Sequence, residues 1–373
     1  MHLAGQTFKH SWQNTVEDAI RPPELCRMLV LGVGGAGNNT VTRLMEMRVT
    51  GAECVAINTD ALHLSVSRAH RKILIGEKLT KGLGVGGDPK LGKMAIEESR
   101  KRLEDLLTGV DIVFITAGLG GGTGTGAAPV IAEIAKKKGA LTVGVVTTPF
   151  RIEKGRMEYA AYALTEMRRQ CDTVVVIDNN KLIQLAPHLP INEAFKIADQ
   201  VLANMIKGIV ETISAPSLIN LDFADFKTIV KRGGLAVIGV GESDAPNRAE
   251  EAVRNALRSP LLNVDYAGAK GALIHVSGDA QMTIEEANRV GEIVTEMMDN
   301  DALVIWGARV NPELDGKLKV TLVMTGVNSP YILSGFGALA PQLFNLEPYA
   351  EPEKPLNIKL DLYQLEQDYI NQF

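Results

Sequence analysis

The chain has 373 residues, enough for two domains that each bury a core. Lys plus Arg number 39 against 44 Asp plus Glu, a net charge of −5 that argues against a dedicated duplex-DNA binder with a basic face. Three scattered cysteines (Cys26, Cys54, Cys171) without a CxxC pair fit a reducing compartment and argue against a structural zinc site, and no apolar run approaches the roughly 18 residues that cross a bilayer. The composition therefore leads us to expect a cytoplasmic protein with no nucleic-acid partner, no signal peptide and no direct membrane insertion.

Residues 1–26 are polar and read as a loosely held arm. From there, short apolar runs alternate with helical patterns. RMLVLGV (27–33) predicts a strand, followed by a helix through Arg43 to about Arg48; ECVAIN (53–58) and RKILIG (71–76) predict further strands. Asp88-Pro89 is a strong helix start, and the pattern PKLGKMAIEESRKRLEDLL (89–107) predicts one long amphipathic helix. VDIVFITAG (110–118), LTVGVVTT (141–148) and DTVVVID (172–178) continue the strands, with helices between them. Near-continuous apolar strands separated by helices predict a parallel sheet covered on both faces. A long apolar-striped helix over 192–214 bridges to a second unit, in which four strands from 234 onward alternate with helices at 246–258 and 283–298. EPYAEPEKP (347–355) has linker composition, and the chain ends on a short amphipathic segment.

Two glycine clusters follow strands, where an α/β sheet binds its ligands. Gly32-Val33-Gly34-Gly35-Ala36-Gly37 matches G-x-G-x-x-G, a weak signal also compatible with a nicotinamide or flavin enzyme in which Glu53 or Asp60 binds ribose. The second cluster, GLGGGTGTG (118–126), is denser than a strand-to-helix turn requires. Together the loops form a cradle of backbone N–H groups at helix N-termini, suited to a chain of phosphates, with Thr123 and Thr125 available to donate to phosphate or cap a helix. No G-x-x-x-x-G-K-[ST] occurs, so a P-loop is excluded. The six histidines, His2, His10, His63, His70, His188 and His275, form no recognisable catalytic pair, and His275 reads as a core residue.

These motifs resemble the FtsZ family of the tubulin superfamily, in its archaeal form. GGGTGTG (120–126) is similar to the superfamily's signature loop, and the likeness runs over roughly residues 27–335. It includes GVGGAGNN (32–39), AINTDA (56–61), GLGVGGDP (82–89), NLDFADF (220–226), GGLAVIGVGES (233–243) and SPLL (259–262). The resemblance implies a Rossmann-like parallel-sheet GTPase domain joined by a long central helix to a smaller mixed α/β domain. The division expected is an arm (1–26), a GTP-binding domain with the central helix (27–214), a C-terminal domain carrying the catalytic loop at its start (215–335), and a linker and tail (336–373).

The resemblance further implies that Gly34, Gly35, Gly37, Asn38 and Asn39 form the first phosphate- and base-contacting loop. Gly84, Val85 and Gly86 would approach the terminal phosphates, and Gly121, Gly122, Thr123, Gly124, Thr125 and Gly126 would cradle them. Phe195 would stack on guanine and Asp199 bond its amide edge; four residues apart, they share a helix face. The family's acid and arginine stand four apart, whereas Glu153 and Arg156 in PFRIEKGR stand three apart, so the family pattern carries over for only one of their contacts, to ribose or phosphate.

Hydrolysis needs a group that positions water in line with the γ-phosphate. Asp222 and Asp225, beside Asn220, are the candidates; read locally, Asp222 is a helix N-cap and Asp225 a first-turn acid. In the FtsZ-like reading these acids complete the site of a neighbouring subunit, so the chain polymerises head to tail. GTP and GDP are then substrate and product, with Mg2+ carried mainly by the phosphates and no metal site in the protein itself. A cytokinetic ring at the division site is implied, with the tail meeting a membrane-anchor protein and other division proteins. The alternatives are an NAD(P)-dependent oxidoreductase and a GTP-binding regulator that does not polymerise.

Overall fold

Six apolar runs form one parallel sheet: β1 (Met28–Val33), β2 (Ala52–Asn58), β3 (Arg71–Leu74), β4 (Ile112–Gly118), β5 (Leu141–Thr148) and β6 (Thr173–Asp178), in the order β3-β2-β1-β4-β5-β6. The structure, a computed structural model, describes residues 26–185, 188–215, 217–258, 266 and 268–327. The expected arm before Cys26, the SPLL segment, and the linker and tail from 336 lie outside the described residues. Strands β1, β5 and β6 are buried along their whole length, as continuous apolar runs require when helices cover both faces.

The crossovers of this sheet are α1 (Gly34–Glu46), α2 (Ala61–Val66), α3 (Glu77–Thr80), α4 (Pro89–Glu98), α5 (Arg100–Leu107), α6 (Thr123–Lys137) and α7 (Lys154–Gln170). The helix start at Asp88-Pro89 is as expected: the Asp88 carboxylate accepts the Lys90 N–H at 2.7 Å. The single helix expected over 89–107 is broken, however. Ser99 leaves the helical region (φ −99°, ψ 9°), its N–H bonds back only three residues to Ile96, and its hydroxyl accepts the Gly76 N–H at 3.4 Å. A tertiary bond to the segment after β3 thus competes with the helix ladder, as serine readily allows.

After α8 (Asn180–Leu185) comes the long helix α9 (Ile191–Ser214), then α10 (Phe223–Val230). A second sheet is formed by β7 (Ala236–Ser243), β8 (Gly271–Gly278), β9 (Leu303–Val310) and β10 (Leu318–Thr325), flanked by α11 (Arg248–Leu257) and α12 (Ile284–Thr295). Its order is β7-β10-β8-β9; β10 is antiparallel to both neighbours and β8 runs parallel to β9, so the sheet is mixed. Helix α9 packs against α1 on one side and against β7 and β10 on the other. The sheets also meet directly: Val174 bridges to Leu235, and the Thr173 hydroxyl donates to the Gly234 carbonyl at 3.2 Å. One hydrophobic core runs through both, from Met28 to Val327.

Candidate functional site

A parallel sheet delivers all its carboxyl ends to one edge. Register shows how evenly: Val33 pairs with both Ile57 and Ala117, Gly118 with Thr147, and Thr148 with Asp178. Strand order reverses between β1 and β4, the switch point where open α/β sheets take ligands, and the two glycine clusters flank it.

Three loops interlock at this edge, and glycine is what lets them do so. Gly34, at φ +71°, would place a Cβ 2.9 Å from the Gly124 amide nitrogen, so the first and second loops touch backbone to backbone. A Cβ on Gly122 would strike Val85 and stand 3.0 Å from the Gly87 carbonyl carbon, which brings in the third loop. Gly37 abuts the Thr116 carbonyl, Gly126 abuts Pro89, and Gly120 would meet the Arg156 carbonyl at 2.9 Å. The glycine density of 118–126, expected from sequence to serve a ligand, is therefore in large part steric. Each loop nevertheless leaves glycine facing open space: nothing lies within 4 Å of a Cβ on Gly86, Gly87 or Gly121, and only His63 Nε2, at 3.9 Å, approaches one on Gly35.

The side chains around the loops divide in the same way. Thr125 is buried and its hydroxyl accepts the Gly120 N–H at 2.9 Å, so it shapes the loop and caps no helix. Thr123 reaches the end of β2, with its hydroxyl 2.7 Å from that of Thr59. Gly84 lies at φ +80°, and its N–H bonds the Thr59 carbonyl at 3.1 Å. Helices α1 and α6 both begin at these loops, so their free N–H groups and dipoles favour an anion there. Asn38, in the first turns of α1, is fully buried, yet neither amide atom has a hydrogen-bond partner. Such an orphan is costly unless something else fills it.

Beside the loops, α1 and α9 enclose a cleft of about 420 Å³, with Asn39 and Arg43 on one wall and Phe195 and Asp199 on the other. Its inner end continues past Asn179, whose Oδ1 is buried without a partner. Phe195 is 39% exposed and stands edge-on to Phe150, with ring centroids 5.7 Å apart. Burial pushes the Asp199 carboxyl up from 3.8 to about 7, with Arg43 pulling the other way. A flat aromatic face, a desolvated carboxylate and an unpaired amide match a planar heterocycle bearing adjacent N–H groups. Sequence reasoning missed Arg43 here, although its place four residues after Asn39 puts it on the same face of α1.

Glu153 and Arg156 pair with each other at 2.5 Å, and the other Glu153 oxygen accepts the Phe150 N–H at 3.1 Å. The pair thus holds Phe150 against Phe195, and the three-residue spacing makes it a one-turn helical contact. The two acids of the dinucleotide alternative are committed elsewhere: Glu53 to Arg71 at 2.5 Å, and Asp60 to the His63 N–H at 3.0 Å as the cap of α2.

Asp222 and Asp225 lie on the second sheet's side of the chain, since α10 packs against β8 and β10. They form a reciprocal capping box: Asp222 Oδ1 accepts the Asp225 N–H at 3.0 Å, and Asp225 Oδ2 accepts the Asp222 N–H at 3.1 Å. Asn220 is exposed just before them. The bonds of the two acids run to each other, and none reaches a glycine loop of the same chain.

Comparison with known proteins bears on this arrangement. Residues 27–187 match the family described as "Tubulin/FtsZ family, GTPase domain", and residues 234–328 match "FtsZ family, C-terminal domain". Cell division protein FtsZ 2 of Methanocaldococcus jannaschii is 56% identical over 310 residues, 82% of each chain. Cell division protein FtsZ 1 of Pyrococcus furiosus is 56% identical over 307 residues, again 82% of each. A structure of an empty FtsZ dimer from M. jannaschii superposes with a TM-score of 0.76 at 53% identity, covering 81% of this chain and 88% of that one. CetZ2 of Haloferax volcanii, in a GTPγS-bound protofilament, shares the fold at 23% identity, with a TM-score of 0.72 over 83% of this chain and 96% of that one. The chain therefore belongs to the FtsZ family of GTPases.

Proposed function

We propose that this GTPase polymerises head to tail, with GTP held by the glycine loops of one subunit and cut only when Asp222 and Asp225 of the next subunit arrive. The observation that carries this reading is the separation of the two halves. Beside the loops Asp60 and Asp88 are helix caps and Glu153 pairs with Arg156. Asp222, exposed, and Asp225, half-buried, are likewise a capping box, but on the second sheet's side of the chain, with no bond to a glycine loop of the same chain. A contact between unlike faces that does not close makes a filament. The relatives described as an FtsZ dimer and a CetZ2 protofilament support self-association.

In this reading the amides around Gly34, Gly35, Gly86 and Gly121 to Gly124 hold the phosphates, and the N-termini of α1 and α6 offset their charge. Val85 and Gly37 pack the loops, while Thr125 and Gly126 fix the start of α6. Phe195 stacks on guanine, and ionised Asp199 accepts the two N–H donors of its amide edge; Asn39 completes the polar lining, with the unpartnered amide of Asn38 buried behind the first loop. Asp222 and Asp225 orient water in line with the γ-phosphate, and Asn220 supports the phosphate end. Mg2+ would be carried mainly by the nucleotide phosphates. When bound, Mg2+ neutralises phosphate charge.

We take 27–214 and 215–335 as the two working parts of the chain and place its action at the division site, in keeping with the relatives named cell division proteins. The tail from 336 is the segment we assign to membrane-anchor and other division partners. The test is Asp225→Ala: GTP binding should persist while turnover and GTP-dependent pelleting are followed. Retained turnover in the variant, or loss of GTP binding, would overturn the two-chain site.

A further inference from the structure

The acid loop has a root, and one buried ring holds it. His275 lies in the middle of β8, 4% exposed, paired in register with Gly307 of β9 and Thr321 of β10. Three hydroxyls from three segments surround its ring. Nδ1 is 3.3 Å from Thr212 Oγ1 in the last turns of α9 and 3.5 Å from Ser277 Oγ on its own strand; Nε2 is 3.4 Å from Ser217 Oγ.

The directions of these bonds can be assigned. The Thr212 hydroxyl gives its one hydrogen to the Gly208 carbonyl at 2.8 Å, so towards His275 it can only accept. We assign the ring proton to Nδ1, which makes the 3.3 Å contact to Thr212 a hydrogen bond with Ser277 as a second acceptor at 3.5 Å; the other tautomer, with Ser277 donating to Nδ1, would leave two acceptors facing each other at Thr212. Nε2 is then an acceptor. Ser217 has one proton and two acceptors at 3.4 Å, the Ala215 carbonyl and Nε2. Among the described residues Nε2 has no other hydrogen-bond donor, so the ring is where that proton satisfies a buried group. The result is a directed chain, Ser217 to His275 to Thr212 to Gly208, from the strand of the loop into the central helix.

The loop itself rests on the neighbour of this ring. Ile219 exchanges two backbone hydrogen bonds with Ala308, at 3.1 and 3.2 Å, and Leu221 is buried over Gly307. A Cβ on Gly307 would come within 2.6 Å of both the Ile219 carbonyl oxygen and the Leu221 side chain, so the loop lies directly on the bare position that pairs with His275. The charged groups that act on the ring are Arg309 on β9 and Lys319 on β10; Glu211 of α9 and Glu242 of β7 in turn lie within 4 Å of the Lys319 ammonium. Helix α10 meets β8 at its other end, at Gly271. Burial, then Arg309 and Lys319, push the ring down to about 4, so it stays neutral and keeps this pattern of donors and acceptors at neutral pH.

We propose that His275 is a positioning residue for GTP hydrolysis: by tying Ser217 to the end of α9, it sets where Asn220, Asp222 and Asp225 stand when they meet the neighbouring subunit. The inference rests on the two-chain reading of those acids. Displacing a catalytic group by an ångström costs far more turnover than binding.

The test uses the full chain and four variants. His275→Leu keeps the apolar volume and removes both nitrogens. We expect kcat to fall by about tenfold or more, with the GTP dissociation constant within about twofold of wild type. His275→Asn, which restores one donor and one acceptor, should recover kcat to within about threefold of wild type, and Ser217→Ala should lower kcat by about threefold. A merely structural role would lower stability in step with the core change and show no recovery with asparagine. Wild-type kcat in Ser217→Ala and in folded His275→Leu overturns the inference, as does a His275→Leu loss that asparagine fails to recover. Should His275→Leu not fold, Ser217→Ala decides alone. Asp225→Ala, run in parallel, separates the two levels: if it is inactive while the His275 and Ser217 variants turn over normally, only the positioning role fails. If Asp225→Ala itself turns over at the wild-type rate, the two-chain reading fails and this inference with it.

Discussion

The glycine-loop edge and the acid loop are built differently. At the edge, three segments far apart in sequence are locked together backbone to backbone through Gly34, Gly122, Gly124 and Gly126, and a buried threonine pins the densest loop. The acid loop also rests on backbone, through the Ile219–Ala308 bonds beside Gly307, but its two acids are placed by their own side chains, which cap an eight-residue helix next to a rim where Leu218 is 75% exposed and Ile219 40%. A backbone cradle is complete before its ligand arrives. Acids at the surface beside exposed apolar side chains suit a site that another surface completes. In the two-chain reading we propose, one region holds and the other is delivered.

Substitutions should separate these two roles. The largest effect belongs to the acids: Asp225→Ala should lower turnover by about 10²–10⁴-fold while leaving GTP affinity unchanged, measured as phosphate release against equilibrium binding. Because the acids also cap α10, the alanine change mixes a catalytic loss with about 1 kcal/mol of stability. Asp222→Asn is cleaner, since asparagine caps as well as aspartate; turnover should fall with Tm nearly unchanged.

On the holding side, Asp199→Asn should weaken GTP by about 1.5–3 kcal/mol, the value of hydrogen bonds to a charged group, and leave kcat at saturation little changed. Within the glycine loops, Gly37→Ala and Gly121→Ala should part company. A methyl on Gly37 runs into the Thr116 carbonyl and should destabilise the fold by about 1–3 kcal/mol, whereas Gly121 has no neighbour within 4 Å and should change stability by less than about 0.5 kcal/mol. Thermal melts of the two proteins without nucleotide check this, and any loss of GTP affinity in Gly121→Ala then reports directly on ligand approach.

The smallest effect is a proton. The free protein holds the Asp199 proton up to about pH 7, whereas the unfolded chain releases it near 3.8. The native state therefore binds more protons in that window, and this group's contribution to stability falls as pH rises through it and is constant above. Guanine's N–H donors favour the ionised carboxylate, so GTP binding below pH 7 should release part of a proton and strengthen from pH 6 to pH 8. Calorimetry in buffers of different ionisation enthalpy would detect the release, and Asp199→Asn should abolish it.

The parallel sheet was legible because its strands are apolar on both faces, and so was the long helix α9, whose stripe meets α1 on one side and the second sheet on the other. The positions of the glycine loops and of the Asp222 cap were legible from local spacing. What sequence could not supply were contacts made across distance. Gly126 is glycine because Pro89 crosses it, and Ser99 breaks a helix because Gly76 reaches its hydroxyl. The reciprocal bond from Asp225 follows a capping pattern that local reading had half found. His275 looked like an ordinary core residue, and it is buried as expected; only the tertiary structure brings Ser217 to it.

The division of labour between the two regions is tested most directly by the GTPase rate per molecule as a function of protein concentration, with pelleting measured in the same samples. We expect almost no turnover below a threshold concentration and a steep rise as filaments form. A dilute, strictly monomeric preparation that hydrolyses GTP as fast per molecule as a concentrated one would contradict the two-chain site.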